Sequence, residues 1–181
     1  MRWMWIDRVV ELVPRVRLVA IKNVSLAEEH LHDHFPAHPG PPPRPAVPVM
    51  PASLIIEGLA QSGGVLVGHA YDFRHKVILA KINRVELSRE ATPGSTLRYT
   101  AHAERLDEQG GAVRLGVELL DHAGPDPAFE TIGSAELMFS HLDQNMGAAG
   151  QAGVDFPAHN FVFGEQFKTL LRSSGIAVPG E

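Results

Sequence analysis

Two side chains in the first third of the chain are of the right type to move protons. His34 stands in the run His32-Asp33-His34-Phe35-Pro36-Ala37-His38-Pro39, and Glu57 in Met50-Pro51-Ala52-Ser53-Leu54-Ile55-Ile56-Glu57-Gly58-Leu59-Ala60-Gln61. A carboxylate among so many apolar residues is costly to bury without a partner. Burial of that kind raises a carboxyl pKa and keeps the group partly protonated near neutrality, which suits a general acid. A histidine accepts a proton in the same pH range. Ala52 and Ser53 begin the segment that carries Glu57. If it is helical, their N–H groups are free donors at the positive end of the helix dipole and can hold an oxyanion. Base, acid and oxyanion donors together make a site for β-elimination next to a carbonyl.

The elements that would position these groups can be read on either side. Ser53 to Ala70 has Leu54, Ile55, Ile56, Leu59, Val65, Leu66 and Val67 on nearly all sides, which predicts a helix buried in a core. Ser53 is its expected N-cap, and Gly58, Gly63, Gly64 and Gly68 are expected to let another backbone come close. Val9 to Val24 is rich in β-branched residues and predicts one or two strands broken near Pro14. Residues 25–38 are polar and His-rich, and residues 39–51 are so rich in proline that they should be extended and exposed. Further strands are expected at Val77–Val85, Thr96–Leu106, Ala112–Asp121 and Phe129–His141. Glu108 to Gly111 is the expected hairpin loop, with turns at Ala91–Gly94 and Pro125–Pro127. Asn145–Gly153 reads as a linker, and Phe161–Leu171 as a short amphipathic helix that packs on the body or on a neighbouring subunit. Strands gathered around one helix make an α+β fold with a single sheet wrapped on that helix. The end of such a sheet invites pairing with a second copy.

Composition narrows the function classes. The 181 residues carry a formal charge of −5 and no long basic run, which argues against nucleic acid or an anionic membrane as the main partner. With no cysteine there is no disulfide, thiolate nucleophile or Cys-ligated zinc, consistent with a reducing cytoplasm. Asp7, Arg8 and Glu11 interrupt the N-terminal apolar residues, so no secretory signal is expected there. Leu54–Val67 is too short and too polar to span a bilayer. Were His30, His32, His34 and His38 on a strand, three of them would share a face and converge on a metal. The preferred reading is polar loop histidines without a metal.

The motif His34-Phe35-Pro36-Ala37-His38-Pro39, followed by Val49-Met50-Pro51-Ala52-Ser53-Leu54-Ile55-Ile56-Glu57-Gly58-Leu59-Ala60-Gln61-Ser62-Gly63-Gly64, resembles the signature of the 3-hydroxyacyl-acyl-carrier-protein dehydratases of fatty-acid synthesis. That signature is close to HFPGxPxMPGxLxxEAxAQxGG. Ile6–Val9, Ala20–Val24, Leu79–Ile82, Pro93–Leu97 and Ala135–Phe139 extend the likeness in order, so that it covers roughly residues 4–142. The resemblance implies the hot-dog fold, with residues 1–142 as the dehydratase domain and 143–181 as linker and tail. It implies His34 as catalytic base and Glu57 as catalytic acid, with Phe35, Ala52, Ser53 and Gln61 toward the substrate. Gln61 either orients the carboxylate of Glu57 or is a plain helix hydrogen-bonder. Neither cofactor nor metal is implied. The implied substrate is a (3R)-hydroxyacyl thioester on acyl carrier protein or CoA. The implied assembly is a homodimer in which the histidine of one chain faces the carboxylate of the other, and many members form trimers of dimers. The chain departs from the pattern in three places. Residues 40–48 form a mostly proline insertion, Ala37 and Ala52 stand where the family has glycine, and Lys81 stands where glycine is expected. A thioesterase on the same fold and a non-catalytic acyl-binding subunit are the alternatives.

Overall fold

The computed structural model describes residues 3–33, 35–123, 126–142 and 159–178. Strands β1 (Arg8–Val13) and β2 (Arg17–Asn23) are followed by helices α1 (Glu29–Asp33) and α2 (Ala52–His69). Then come β3 (Val77–Leu87), β4 (Ser95–Asp107), β5 (Gly110–Asp121), β6 (Phe129–His141) and helix α3 (Glu165–Ser173). The six strands form one sheet in the order β1-β2-β4-β5-β6-β3, and every neighbouring pair is antiparallel.

Alternation along β4, β5 and β6 turns Leu97, Tyr99 and Ala101, Val113, Leu115 and Val117, and Ala135 and Leu137 into the core. There they meet Leu59, Val65, Leu66 and Val67 of α2, all fully buried. A helix apolar all round is satisfied because the sheet curls about it, and this is the hot-dog fold. The glycines of α2 serve a different purpose from the one the sequence suggests. A Cβ on Gly58 would lie 2.5 Å from the Tyr99 ring, one on Gly63 2.8 Å from Phe139, and one on Gly68 2.5 Å from Phe163. They seat aromatic rings against the helix rather than a second backbone.

The hairpin between β4 and β5 is tighter than expected, with Glu108 and Gln109 alone outside the strands. Asp107 accepts from the N–H groups of Gln109 and Gly110 at 2.9 and 3.1 Å. Gly110 has φ of 152°, and a Cβ there would lie 2.0 Å from the Phe139 carbonyl oxygen. The break near Pro14 is a turn that carries Arg15 at φ 63°. The Arg15 guanidinium donates to the Ala70 carbonyl at 2.9 Å, beyond the end of α2.

Five local expectations need correction. Residues 29–33 are helical, so His30 and His32 do not share a strand face, and the His30 ring packs edge-on to Trp5 with centroids 4.9 Å apart. The proline segment is exposed through residues 41–47, but it folds back on itself: His38 and Arg44 exchange two backbone hydrogen bonds of 2.9 Å. Met50, at the end of that segment, is buried and its N–H donates to the Ala91 carbonyl at 2.8 Å, an isolated bridge where none was expected. The helix N-cap is Pro51, not Ser53. Proline has no N–H to lose at a helix start, its carbonyl already accepts from Leu54 and Ile55, and Ser53 makes no cap bond. The tail helix begins at Glu165, after Gly164, rather than at Phe161. The expected linker at Asn145–Gly153 and part of the turn at Pro125–Pro127 lie outside the described residues. No described helix is long and apolar enough to cross a membrane.

Candidate active site

Helix α2 carries the candidate carboxylate, and the N-terminal segment before β1 fixes it. Gln61 follows Glu57 by one turn, so both side chains leave the same face. The Gln61 amide nitrogen donates to Glu57 Oε1 at 3.0 Å and to the Trp3 carbonyl at 3.1 Å. Its amide oxygen accepts from the buried backbone N–H of Trp5 at 2.9 Å. A main-chain N–H can only donate, so this last bond decides which end of the amide is oxygen and which is nitrogen. Gln61 must therefore offer a donor to Glu57. The Trp3 indole N–H supplies a second, 3.1 Å from the same Oε1. Oε2 has no partner among the described residues, so a proton on this carboxyl belongs on Oε2.

Glu57 is half-buried rather than fully enclosed, and its described partners are neutral. An ion pair with Arg8 or Lys81 does not form among the described residues, and Lys81 lies exposed beside a bulge in β3. The carboxyl borders a cavity of about 190 Å³ that continues along α2 past Ala60, Gln61 and Gly64. Its remaining walls are apolar and include Val77, Leu79, Phe139, Phe163 and Phe167.

The other expected site residues gather in a second cleft. Phe35 is 50% exposed and lines a cleft of about 400 Å³ with Met50, Pro51, Ala52 and Ile55 on one side and Leu87 to Glu90 on the other. Ala52 and Ser53 are exposed and open α2, so neither N–H has an acceptor within the helix. Ala52 is helical, and neither it nor Ala37 has positive φ, so the replacement of glycine introduces no backbone strain. The proline loop borders an adjoining cleft of about 460 Å³, which shares Phe35, Val49 and Glu90. His34 itself lies outside the described residues. Within one chain, then, Glu57 and Gln61 come together, Phe35 and Ala52 come together, and the two sets do not meet. At 3.6 residues per turn, Ala52 and Glu57 point about 140° apart around α2.

Two parts of this arrangement were not foreseen in the sequence. Trp3 is 54 positions from Glu57, and its only sequence signal is a second tryptophan two residues on. The tail helix was expected to pack on the body or on a neighbouring subunit. Phe163 is in the core, and both it and Phe167 also border the Glu57 cavity.

Residues 2–118 match the sequence model of the FabA-like domain. The chain belongs to that family. A 3-hydroxyacyl-[acyl-carrier-protein] dehydratase FabZ from Geobacter metallireducens is 41% identical over 101 residues, which is 54% of this chain and 61% of that protein. The match therefore spans less than two thirds of that relative's length. The FabZ dehydratase from Symbiobacterium thermophilum is 33% identical over 138 residues, covering 68% of this chain and 91% of that protein. Among solved structures, the dehydratase heterocomplex ApeI:P from Xenorhabdus doucetiae shares the fold. The TM-score is 0.57 at 16% identity over 77% of this chain and 83% of that one. The FabA-like match ends inside β5, so β6 and the tail that borders the Glu57 cavity lie beyond it.

Proposed function

We propose that this chain is a cytoplasmic hydro-lyase that converts (3R)-hydroxyacyl thioesters, on acyl carrier protein or CoA, to trans-2-enoyl thioesters in fatty-acid or related lipid synthesis. The observation that carries the reading is the carboxyl of Glu57. It is held on one oxygen by two N–H donors, leaves the other free for a proton, and stands at the head of an apolar cavity. Membership of the FabA-like family and the FabZ relatives support it.

In this reaction His34 removes the proton α to the thioester carbonyl. The C–H electron pair becomes the Cα=Cβ bond, the β C–O bond breaks, and the hydroxyl leaves as water with the proton from Glu57 Oε2. Charge that builds on the carbonyl oxygen is met by the N–H groups of Ala52 and Ser53 at the start of α2. Phe35 packs beside the thioester, and Gln61 keeps the Glu57 carboxyl turned for transfer. Each proton-transfer group contributes roughly 10²–10⁴-fold.

The separation of the two residue sets around α2 favours a site completed by a second chain, with His34 from one protomer and Glu57 from its partner. Strand β3 supports the same assembly. It ends the sheet, pairs on one side with β6, and leaves Ile78, Leu79 and Ile82 36%, 40% and 46% exposed. Sedimentation separates a dimer from a trimer of dimers.

The test is hydration of a crotonyl thioester, followed by loss of enoyl absorbance with free thiol measured in parallel. The proposal expects hydration without thiol release, lost in Glu57→Gln. Thiol release without hydration replaces it with a thioesterase. Hydration that survives Glu57→Gln overturns the assigned acid.

A further inference from the structure

We infer that the C-terminal segment 159–178 forms the far wall of the acyl pocket and sets the length of chain the enzyme accepts. The inference rests on the proposed dehydratase reading for the identity of the ligand, and on the geometry of the tail for the rest.

The cavity that starts at Glu57 follows one stripe of α2, through Ala60 and Gln61 to Gly64. At 1.5 Å per residue, that stripe runs about 10 Å from the carboxyl. Its head is polar, with the Glu57 carboxyl and the Gln61 amide. Past Gln61 it has only apolar walls, from β3, β6 and the tail, with a glycine where a side chain would narrow it. A polar head on an apolar body fits a thioester with an aliphatic chain.

The tail is fastened where it meets this cavity. Asn160 donates from its amide nitrogen to the carbonyls of Phe73 and His75, both at 2.9 Å, and accepts from the N–H of Val162 at 3.1 Å. Phe163 is 6% exposed and wedged against Gly68, with the Phe73 ring 4.8 Å away. Beyond it, Leu170 and Leu171 are buried, and Ser174 Oγ accepts from the N–H of Val9 at 3.0 Å. A segment anchored at both ends is a fixed stop, and Phe167, half-buried between the anchors and edge-on to Phe163, presents its ring to the cavity. The FabA-like match ends at residue 118, so this stop lies outside the matched residues.

Two substitutions in the full chain move the wall in opposite directions. Phe167→Ala lengthens the cavity; it removes one edge-on ring contact of Phe163, with centroids 5.5 Å apart, and leaves the packing of that anchor on Gly68 and Phe73 in place. Gly64→Ala shortens it. Among the described residues the added Cβ meets the Phe139 ring alone, at 3.6 Å, an ordinary contact that the fold accommodates. The probe is a series of S-alkyl-CoA thioethers from butyl to dodecyl, which bind without reacting, titrated by calorimetry. In the wild type, affinity should rise about fourfold per methylene until the chain meets the wall, then stop rising. Phe167→Ala should move that break to longer chains and Gly64→Ala to shorter ones. A break at the same length in all three proteins overturns the inference, as does binding that ignores chain length or is absent throughout. The enoyl hydration assay keeps the two claims apart. A break that moves in a chain without hydratase activity keeps the wall and rejects the dehydratase. Hydration with an unmoved break does the reverse.

Discussion

Replacing Gln61 by leucine should cost both stability and turnover, and the structure allows the two losses to be worked out separately. Leucine is close to glutamine in volume, so no large cavity opens. The Trp5 N–H then loses its only acceptor among the described residues, in a place where Trp5 is 4% exposed. A buried donor left unpaired costs about 1–3 kcal/mol. The bond to the Trp3 carbonyl is near the surface, where water replaces it at little cost. The bond to Glu57 adds about 0.5–1.5 kcal/mol. The total is about 2–4 kcal/mol, or a fall in Tm of roughly 4–15 °C for a chain of this size. Near-UV circular dichroism of the tryptophans follows the melt, and the hydration assay reads turnover, expected to drop about tenfold as the carboxyl loses one of its two donors. Gln61→Glu sharpens the test. It keeps an acceptor for Trp5 but places a second carboxyl against Glu57. Like charges share a proton, so one folded pKa rises above its unfolded value, and stability falls as pH rises through that range. This variant should regain stability on acidification, whereas Gln61→Leu should not. A Tm for Gln61→Leu within about 1 °C of wild type would refute the clamp.

Three further substitutions probe the frame around the site. The Tyr99 hydroxyl is buried with no partner among the described residues, and burial pushes its pKa well up. Tyr99→Phe should therefore raise Tm by about 2–4 °C, and a clear fall in the melt would reveal a hydrogen bond to that hydroxyl. Burial lowers the pKa of His69 below 6.5, against the opposing charge of Asp72. The unfolded chain takes up this proton first, so stability contributed by neutral His69 is present above pH 6.5 and lost as pH falls toward the folded value. Urea midpoints at neutral and mildly acid pH should drop less in His69→Gln than in wild type, and equal drops would assign the loss elsewhere. Arg98 and Glu118 face each other across β4 and β5 with two bonds of 2.7 Å, and Arg98 also lies 3.9 Å over the Phe129 ring. Its hydrogen bond holds the Glu118 carboxyl below the ordinary range. Arg98→Lys loses the fork and should cost about 0.5–1 kcal/mol at neutral pH. That difference is present above pH 4.5 and should vanish as pH falls through the folded pKa of Glu118; a cost unchanged at acid pH would point to the ring contact instead.

What was legible in the sequence and what was not divides by distance along the chain. Phe129–His141 was read to the residue because a strand with alternating burial on one face writes its own pattern. The Glu57–Gln61 pairing was accessible for a similar reason, since positions i and i+4 meet on any helix. The start of α2 was misplaced by two residues because a serine cap is the commoner signal, and a proline that supplies only a carbonyl does the same work. Helix α1 was hidden by its polar, His-rich composition, which carries no periodicity. The contacts that complete the candidate site join distant segments: Trp3 to Glu57, Phe163 to Gly68, Asn160 to Phe73. Such contacts depend on how the sheet curls about α2, and no local pattern encodes that.

The central claim is that one site is built from the His34 of one protomer and the Glu57 of its partner, and mixing two inactive variants tests it most directly. His34→Ala and Glu57→Gln are each purified, assayed for crotonyl-thioester hydration, then unfolded together and refolded as a mixture. Each alone should be inactive. Random pairing gives half of the dimers one intact site of two, so the mixture should recover about a quarter of wild-type activity. Activity in either variant alone, or none in a mixture shown by mass spectrometry to contain mixed dimers, would contradict the account.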